Sequence, residues 1–128
     1  MSAKKKIFLV DDEKSFTSLL KLNLEDTGNY EVRVENWAED AYSTARQFKP
    51  DLVLLDIIMP RMPGGDVAAK IDADPELKGT PIVFLTAAVR KHQVEEHDGI
   101  ICDRPCLAKP ATVEEVIDAI ERYARKPQ

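Results

Sequence analysis

The chain has little that would carry it out of a reducing, aqueous compartment. It holds two cysteines, Cys102 and Cys106. In an extended strand they stand about 13 Å apart at about 3.3 Å per residue, whereas a disulfide needs roughly 4.4–6.8 Å between Cα atoms. Two thiols also fall short of the four ligands of a structural zinc site, so they read as reduced side chains. No apolar run approaches the roughly 18 residues that span a bilayer. Three lysines at 4–6 are followed by only four apolar residues before Asp11, too few for a signal-peptide core, and the expected location is the cytoplasm. Basic residues number 18 against 23 acidic ones, a net charge of −5, which leaves no basic footprint for nucleic acid and predicts no direct contact with it or with a membrane. His92 and His97 lack the His-Glu-x-x-His spacing of a metalloprotease and read as exposed.

What is present suits one soluble domain over residues 1–128, with 44% apolar and 32% charged residues and no stretch left for an output domain. Four short apolar runs carry the signal. Ile7-Phe8-Leu9-Val10 ends in Asp11-Asp12, Leu52-Val53-Leu54-Leu55 in Asp56, Ile82-Val83-Phe84-Leu85 in Thr86, and a stretch through Leu107 in Lys109-Pro110. As neighbouring parallel strands, their carboxyl ends converge on one sheet edge, where open α/β sheets bind ligands. Three carboxylates, a hydroxyl and an amine then share a pocket suited to a divalent cation and a phosphoryl group. Taken singly, Asp11 or Asp12 reads equally as a helix cap, Asp56 as a turn residue, Thr86 as a core-edge hydroxyl and Lys109 as a solvated lysine. Their order and their placement at strand ends give the set its specificity.

Strand and helix signals alternate along the chain. A strand over Lys5–Val10 precedes a helix over Lys14–Asp26, with Phe16, Leu19, Leu20 and Leu24 on its apolar side and Gly28-Asn29 at its end. Tyr30–Glu35 alternates apolar and charged residues, as a half-exposed edge strand does. Asn36 reads as an N-cap, with Glu39 completing a capping box, and Ala38, Ala41, Tyr42, Ala45 and Phe48 mark a second helix closed by Pro50. Leu52–Leu55 forms a strand. Pro60 and Pro63-Gly64-Gly65 make a tight loop before a short helix at 66–73, and a strand follows at 82–85. A poorly marked fourth helix falls within 90–97, where only Val89 and Val94 offer an apolar side. A weak strand at 106–108 and a capping box of Thr112 and Glu115 introduce the last helix, with Val113, Val116, Ile117, Ile120 and Ala124 on one face. The continuously apolar strands are those buried on both faces, and right-handed crossovers make the sheet parallel.

Asp11-Asp12, then Asp56-Ile57-Ile58-Met59-Pro60 with Gly64, then Thr86-Ala87, then Lys109-Pro110 together resemble the receiver domain of two-component response regulators, over nearly the whole chain. The resemblance implies a flavodoxin-like α/β fold: a doubly wound, five-stranded parallel sheet in the order 2-1-3-4-5 with five helices in a three-layer sandwich. It implies Asp56 as the phosphoacceptor and Mg²⁺ (or Mn²⁺) held by Asp12 and Asp56 directly, by Asp11 through water and by the Ile58 carbonyl. Thr86 and Lys109 would contact the phosphoryl group, as would the backbone N–H groups of Ile57 and Ala87. Met59-Pro60 and Gly64 would shape the loop after Asp56. The implied partners are a histidine kinase or histidine phosphotransfer protein upstream, and a downstream protein on the surface from the fourth helix through the fifth strand to the fifth helix. The implied activity is a switch that assists only its own phosphorylation and hydrolysis, not a turnover enzyme.

The chain departs from the family at two places. Cys106 occupies the switch position three residues before the lysine, where receivers carry an aromatic ring, and Gly99-Ile100-Ile101-Cys102-Asp103-Arg104-Pro105 replaces the usual small-residue approach to the fifth strand. Both departures fall on the output surface and point to an atypical mode of docking. A phosphorylation-independent interaction module on the same fold is the alternative reading. A phosphatase of similar topology would use a second aspartate two positions after Asp56, where this chain has Ile58.

Overall fold

The computed structural model describes residues 4–87, 100–101 and 104–125. Five strands, β1 (Lys5–Val10), β2 (Tyr30–Glu35), β3 (Leu52–Leu55), β4 (Ile82–Thr86) and β6 (Arg104–Ala108), run parallel in the order β2-β1-β3-β4-β6. This is the expected arrangement, with one addition: a two-residue strand, β5 (Ile100–Ile101), pairs antiparallel with β6 at the sheet edge. The described residues hold four helices, α1 (Lys14–Asp26), α2 (Ala38–Phe48), α3 (Gly64–Ala73) and α4 (Val113–Tyr123). The helix expected within 90–97 lies outside the described residues, as do His92, His97 and Cys102.

Alternation along each central strand builds two cores. Phe8, Val10, Val53, Leu55, Phe84, Cys106 and Ala108 face α2 and α3, meeting Ala41, Ala45, Phe48, Val67 and Ile71. Ile7, Leu9, Leu52, Leu54, Val83 and Leu85 face the other way, onto Leu20 and Leu24 of α1 and Val116 and Ile120 of α4. Side chains in a strand point to opposite faces in turn, so a strand covered on both sides must be apolar at every position. β2 has only one neighbour in the sheet and keeps its alternation of buried Tyr30 and Val32 against exposed Glu31 and Arg33.

Several local expectations are corrected. Leu19 is 60% exposed, and the buried stripe of α1 is Thr17, Leu20 and Leu24. At about 100° per residue, Leu19 and Leu20 cannot both face the sheet squarely. α2 begins from Trp37 with no side-chain cap, so the Asn36–Glu39 capping box does not form. The Asn36 amide instead donates to the Asp11 carbonyl oxygen at 2.8 Å and to Thr17 Oγ1 at 3.0 Å. The capping box at the start of α4 is present, with Glu115 N–H donating to Thr112 Oγ1 and Thr112 N–H to Glu115 Oε1. α3 begins at Gly64, two residues ahead of its expected start, and β6 begins at Arg104.

Candidate functional site

The three aspartates stand where β1 and β3 end. Asp56 N–H donates to the Val10 carbonyl at 3.0 Å and Asp11 N–H to the Glu35 carbonyl at 3.2 Å. The ladder bonding thus runs one residue past each strand and fixes the origin of both side chains. Asp11, Asp12 and Asp56 each offer a carboxylate oxygen within 4.8 Å of the others, with Asp11 and Asp56 buried and Asp12 exposed. Asp11 Oδ1 accepts from Glu13 N–H at 2.9 Å, and Asp56 Oδ1 accepts from Ile58 N–H at 3.3 Å.

Lys109, just past β6, reaches into this cluster. Its Nζ lies 2.5 Å from Asp11 Oδ2 and 3.8 Å from Asp56 Oδ2, on a side chain only 16% exposed. The Lys109–Pro110 peptide bond that follows is cis. Burial raises the Asp56 carboxyl above the usual carboxylate range, and the neighbouring Asp11 charge pushes it the same way. Lys109 and the Ile58 N–H oppose the rise, and Asp12 adds to it. The cluster is thus short of positive charge, and its donors are hard carboxylate oxygens of the kind Mg²⁺ takes. That is a fit between the residues present and a divalent cation.

The loop after Asp56 is pinned by Gly64, whose N–H donates to the Ile57 carbonyl at 2.7 Å. A Cβ at this position would overlap the Asp56 carbonyl oxygen and sit 2.9 Å from Ile57 Cα, so only glycine lets α3 start against the backbone of Asp56. Met59 is buried under the loop, Ile57 is half-buried, and Ile58 is 65% exposed beside Asp56. Thr86 ends β4 in register with Ala108, and Ala87 follows it on the same edge; the Thr86 hydroxyl lies outside what the structure describes. A groove of ≈ 270 Å³ adjoins the cluster at Asp12 and is lined also by Asn36, Trp37, Met59 and Arg61.

The strand ends therefore bring together Asp11, Asp12, Asp56 and Lys109, and set the backbone of Ile57, Thr86 and Ala87 on the same edge. Cys106 stands apart, buried in the core facing α2 and α3. Two contributors escaped the sequence reading. Asn36 fits the pattern of a helix cap, yet it braces the end of β1; its place just past a neighbouring parallel strand is the available signal. Phe16 fits the apolar side of α1, yet the Lys109 ammonium lies 4.5 Å from the centre of its ring.

A family model described as "Response regulator receiver domain" matches residues 7–121. The polar-differentiation response regulator DivK of Brucella anthropi is 30% identical over 119 residues, which cover 93% of this chain and 95% of DivK. The alkaline phosphatase synthesis transcriptional regulatory protein PhoP of Bacillus subtilis is 40% identical over 83 residues, 65% of this chain and only 33% of PhoP. The chain therefore spans nearly all of one relative and about a third of the other. Among solved structures, the receiver domain of a sensor histidine kinase from Pseudomonas aeruginosa, with a magnesium ion coordinated in its active-site cleft, superposes with a TM-score of 0.77 at 25% identity, covering 94% of this chain and 98% of that one. With its acidic cluster at the carboxyl edge of a 2-1-3-4-5 parallel arrangement, this chain belongs to the receiver domain family of two-component response regulators, whose members are phosphoacceptor signalling switches rather than turnover enzymes.

Proposed function

We propose that Asp56 accepts a phosphoryl group from a phosphohistidine on a histidine kinase or phosphotransfer protein. The observation that carries the reading is the convergence of Asp11, Asp12, Asp56 and Lys109 at one sheet edge. An Asp56 carboxylate oxygen attacks phosphorus, the phosphorus–nitrogen bond breaks, and the imidazole nitrogen leaves with the electron pair and takes a proton from water. The product is an acyl phosphate. In hydrolysis a water oxygen attacks phosphorus, the bond to Asp56 breaks, and inorganic phosphate departs with the carboxylate restored.

Phosphoryl transfer depends chiefly on positioning and charge neutralisation. Asp11, Asp12, Asp56 and the Ile58 carbonyl would hold Mg²⁺, or Mn²⁺, which when bound offsets charge on the carboxylates and phosphoryl oxygens. Lys109 supplies a point charge beside Asp11 and Asp56. Thr86 and the backbone N–H groups of Ile57 and Ala87 are assigned to the phosphoryl oxygens because their backbones share the edge with Asp56.

The test is intact mass after incubation with Mg²⁺ and acetyl phosphate, beside an Asp56→Asn control. One added phosphoryl group, absent in the control and absent without Mg²⁺, is the expected result. No addition with acetyl phosphate or with a phosphorylated histidine donor overturns the reading. The downstream partner is assigned to the surface that includes β6 and α4. Cys106 favours an output that does not use the family's aromatic switch. Amide chemical shifts that stay fixed along β6 when the site is phosphorylated would support the phosphorylation-independent alternative.

A further inference from the structure

The Lys109 ammonium is held by more than carboxylates. It lies 2.5 Å from Asp11 Oδ2, 3.8 Å from Asp56 Oδ2 and 4.5 Å from the centroid of the Phe16 ring. Phe16 sits in the first turn of α1, half-buried, with its ring against the core between the sheet and helices α1 and α4. We infer that Phe16 is a positioning residue that holds the Lys109 ammonium beside Asp56, a role that rests on the phosphoacceptor reading above.

The physical case is one of competition for donors. A lysine ammonium carries three N–H donors and no acceptor. An aromatic face attracts a cation through its quadrupole when the charge lies within about 6 Å of the ring centroid. It does so without presenting an oxygen that would compete with a phosphoryl group for those donors. The ring also excludes water from one flank of the amine, where the field of a nearby charge then acts at lower dielectric. Leucine at this position would exclude water equally well but offer no attraction to the charge. Among the described residues Lys109 donates to one carboxylate, Asp11, with Asp56 Oδ2 3.8 Å away. The amine is therefore poised within one short side-chain movement of a group carried on Asp56.

The aromatic character, rather than the bulk, is what the experiment must isolate. Phe16→Leu and Phe16→Tyr are compared with wild type, alone and in a Lys109→Met background. Two quantities are read: the phosphorylation rate with acetyl phosphate and Mg²⁺ by intact mass, and the ring-current shift of the Lys109 ε-methylene protons by NMR. Phe16→Leu is expected to lose the shift and to phosphorylate about tenfold more slowly, while Phe16→Tyr keeps both. In the Lys109→Met background the two substitutions should give the same rate. Equal rates for Phe16→Leu and Phe16→Tyr with Lys109 intact, or a methylene shift that Phe16→Leu leaves in place, would overturn the inference. A wild-type protein that takes no phosphoryl group from any donor overturns the functional reading instead, and the methylene shift still decides whether the ring holds the ammonium.

Discussion

Replacing Gly64 with alanine perturbs the site without touching any charged group. The new Cβ would overlap the Asp56 carbonyl oxygen, and Ile57 Cα would have to retreat from 2.9 Å to at least the 3.4 Å of ordinary contact. The colliding atoms are backbone, so no side-chain rotation relieves them. Either α3 shifts at its first residue, losing the 2.7 Å bond from Gly64 N–H to the Ile57 carbonyl, or the Asp56–Ile57 peptide moves. Overpacking of this kind costs about 1–3 kcal/mol. For a domain of this size that is a fall in Tm of about 4–12 °C. Misplacing a reacting group by about 1 Å lowers a rate by up to about 10²-fold, so phosphorylation by acetyl phosphate should fall toward that limit. Gly65→Ala is the control: nothing lies within 4 Å of its Cβ, and alanine is the better helix former by about 1 kcal/mol. Calorimetry and intact mass on both variants decide the matter. A Gly64→Ala protein that melts with wild type and phosphorylates at the wild-type rate would refute the close-approach argument.

Three further outcomes follow from the same geometry. Mg²⁺ should raise the Tm, by about 2.7 kcal/mol of stabilisation at a concentration 100 times its Kd, and Asp12→Ala should remove most of that rise in a thermal melt; an unchanged Mg²⁺ response in the variant would count against the metal assignment. In EDTA, Asp56→Asn should be more stable than wild type near neutral pH. Because the folded carboxyl is raised, wild type loses stability as pH climbs from about 4 through the Asp56 transition, and the gap measured by urea unfolding must widen over that range rather than close. Thr112→Ala removes the side-chain half of the α4 capping box and should lower stability by about 1 kcal/mol in urea melts, with phosphorylation unaffected.

Much of the fold was legible because burial on two faces writes itself into sequence. β3 is apolar throughout and β1 from Ile7 to Val10, the stretch that is buried, and the polar residue after each run marks the end of the strand. Where a single local rule had to stand alone, it did worse. Asn36 with Glu39 satisfies the capping pattern, but the end of β1 lay close enough to claim the amide, and tertiary hydrogen bonds displaced the local one. Thr112 with Glu115 has the same pattern, and there the two capping hydrogen bonds form. Leu19 fits helical spacing as well as Leu20 does, yet the sheet lies under only one side of α1.

The sequence by itself determined which strands are central, where each one stops to within a residue (β4 runs on through Thr86 rather than ending at Leu85) and which polar residue stands at each stop, since these follow from apolar periodicity and from the residue types a phosphoryl site requires. Only the tertiary structure decided the distances among them. Lys109 meets Asp11 across 98 positions of chain because β3 and β4, lying between them, set the end of β6 level with the end of β1, a register no local pattern encodes. The same packing set Phe16 under the lysine and pressed Gly64 against the Asp56 carbonyl. A side chain's chemistry is carried in the sequence, whereas its neighbours are chosen by how helices and strands close over a shared core.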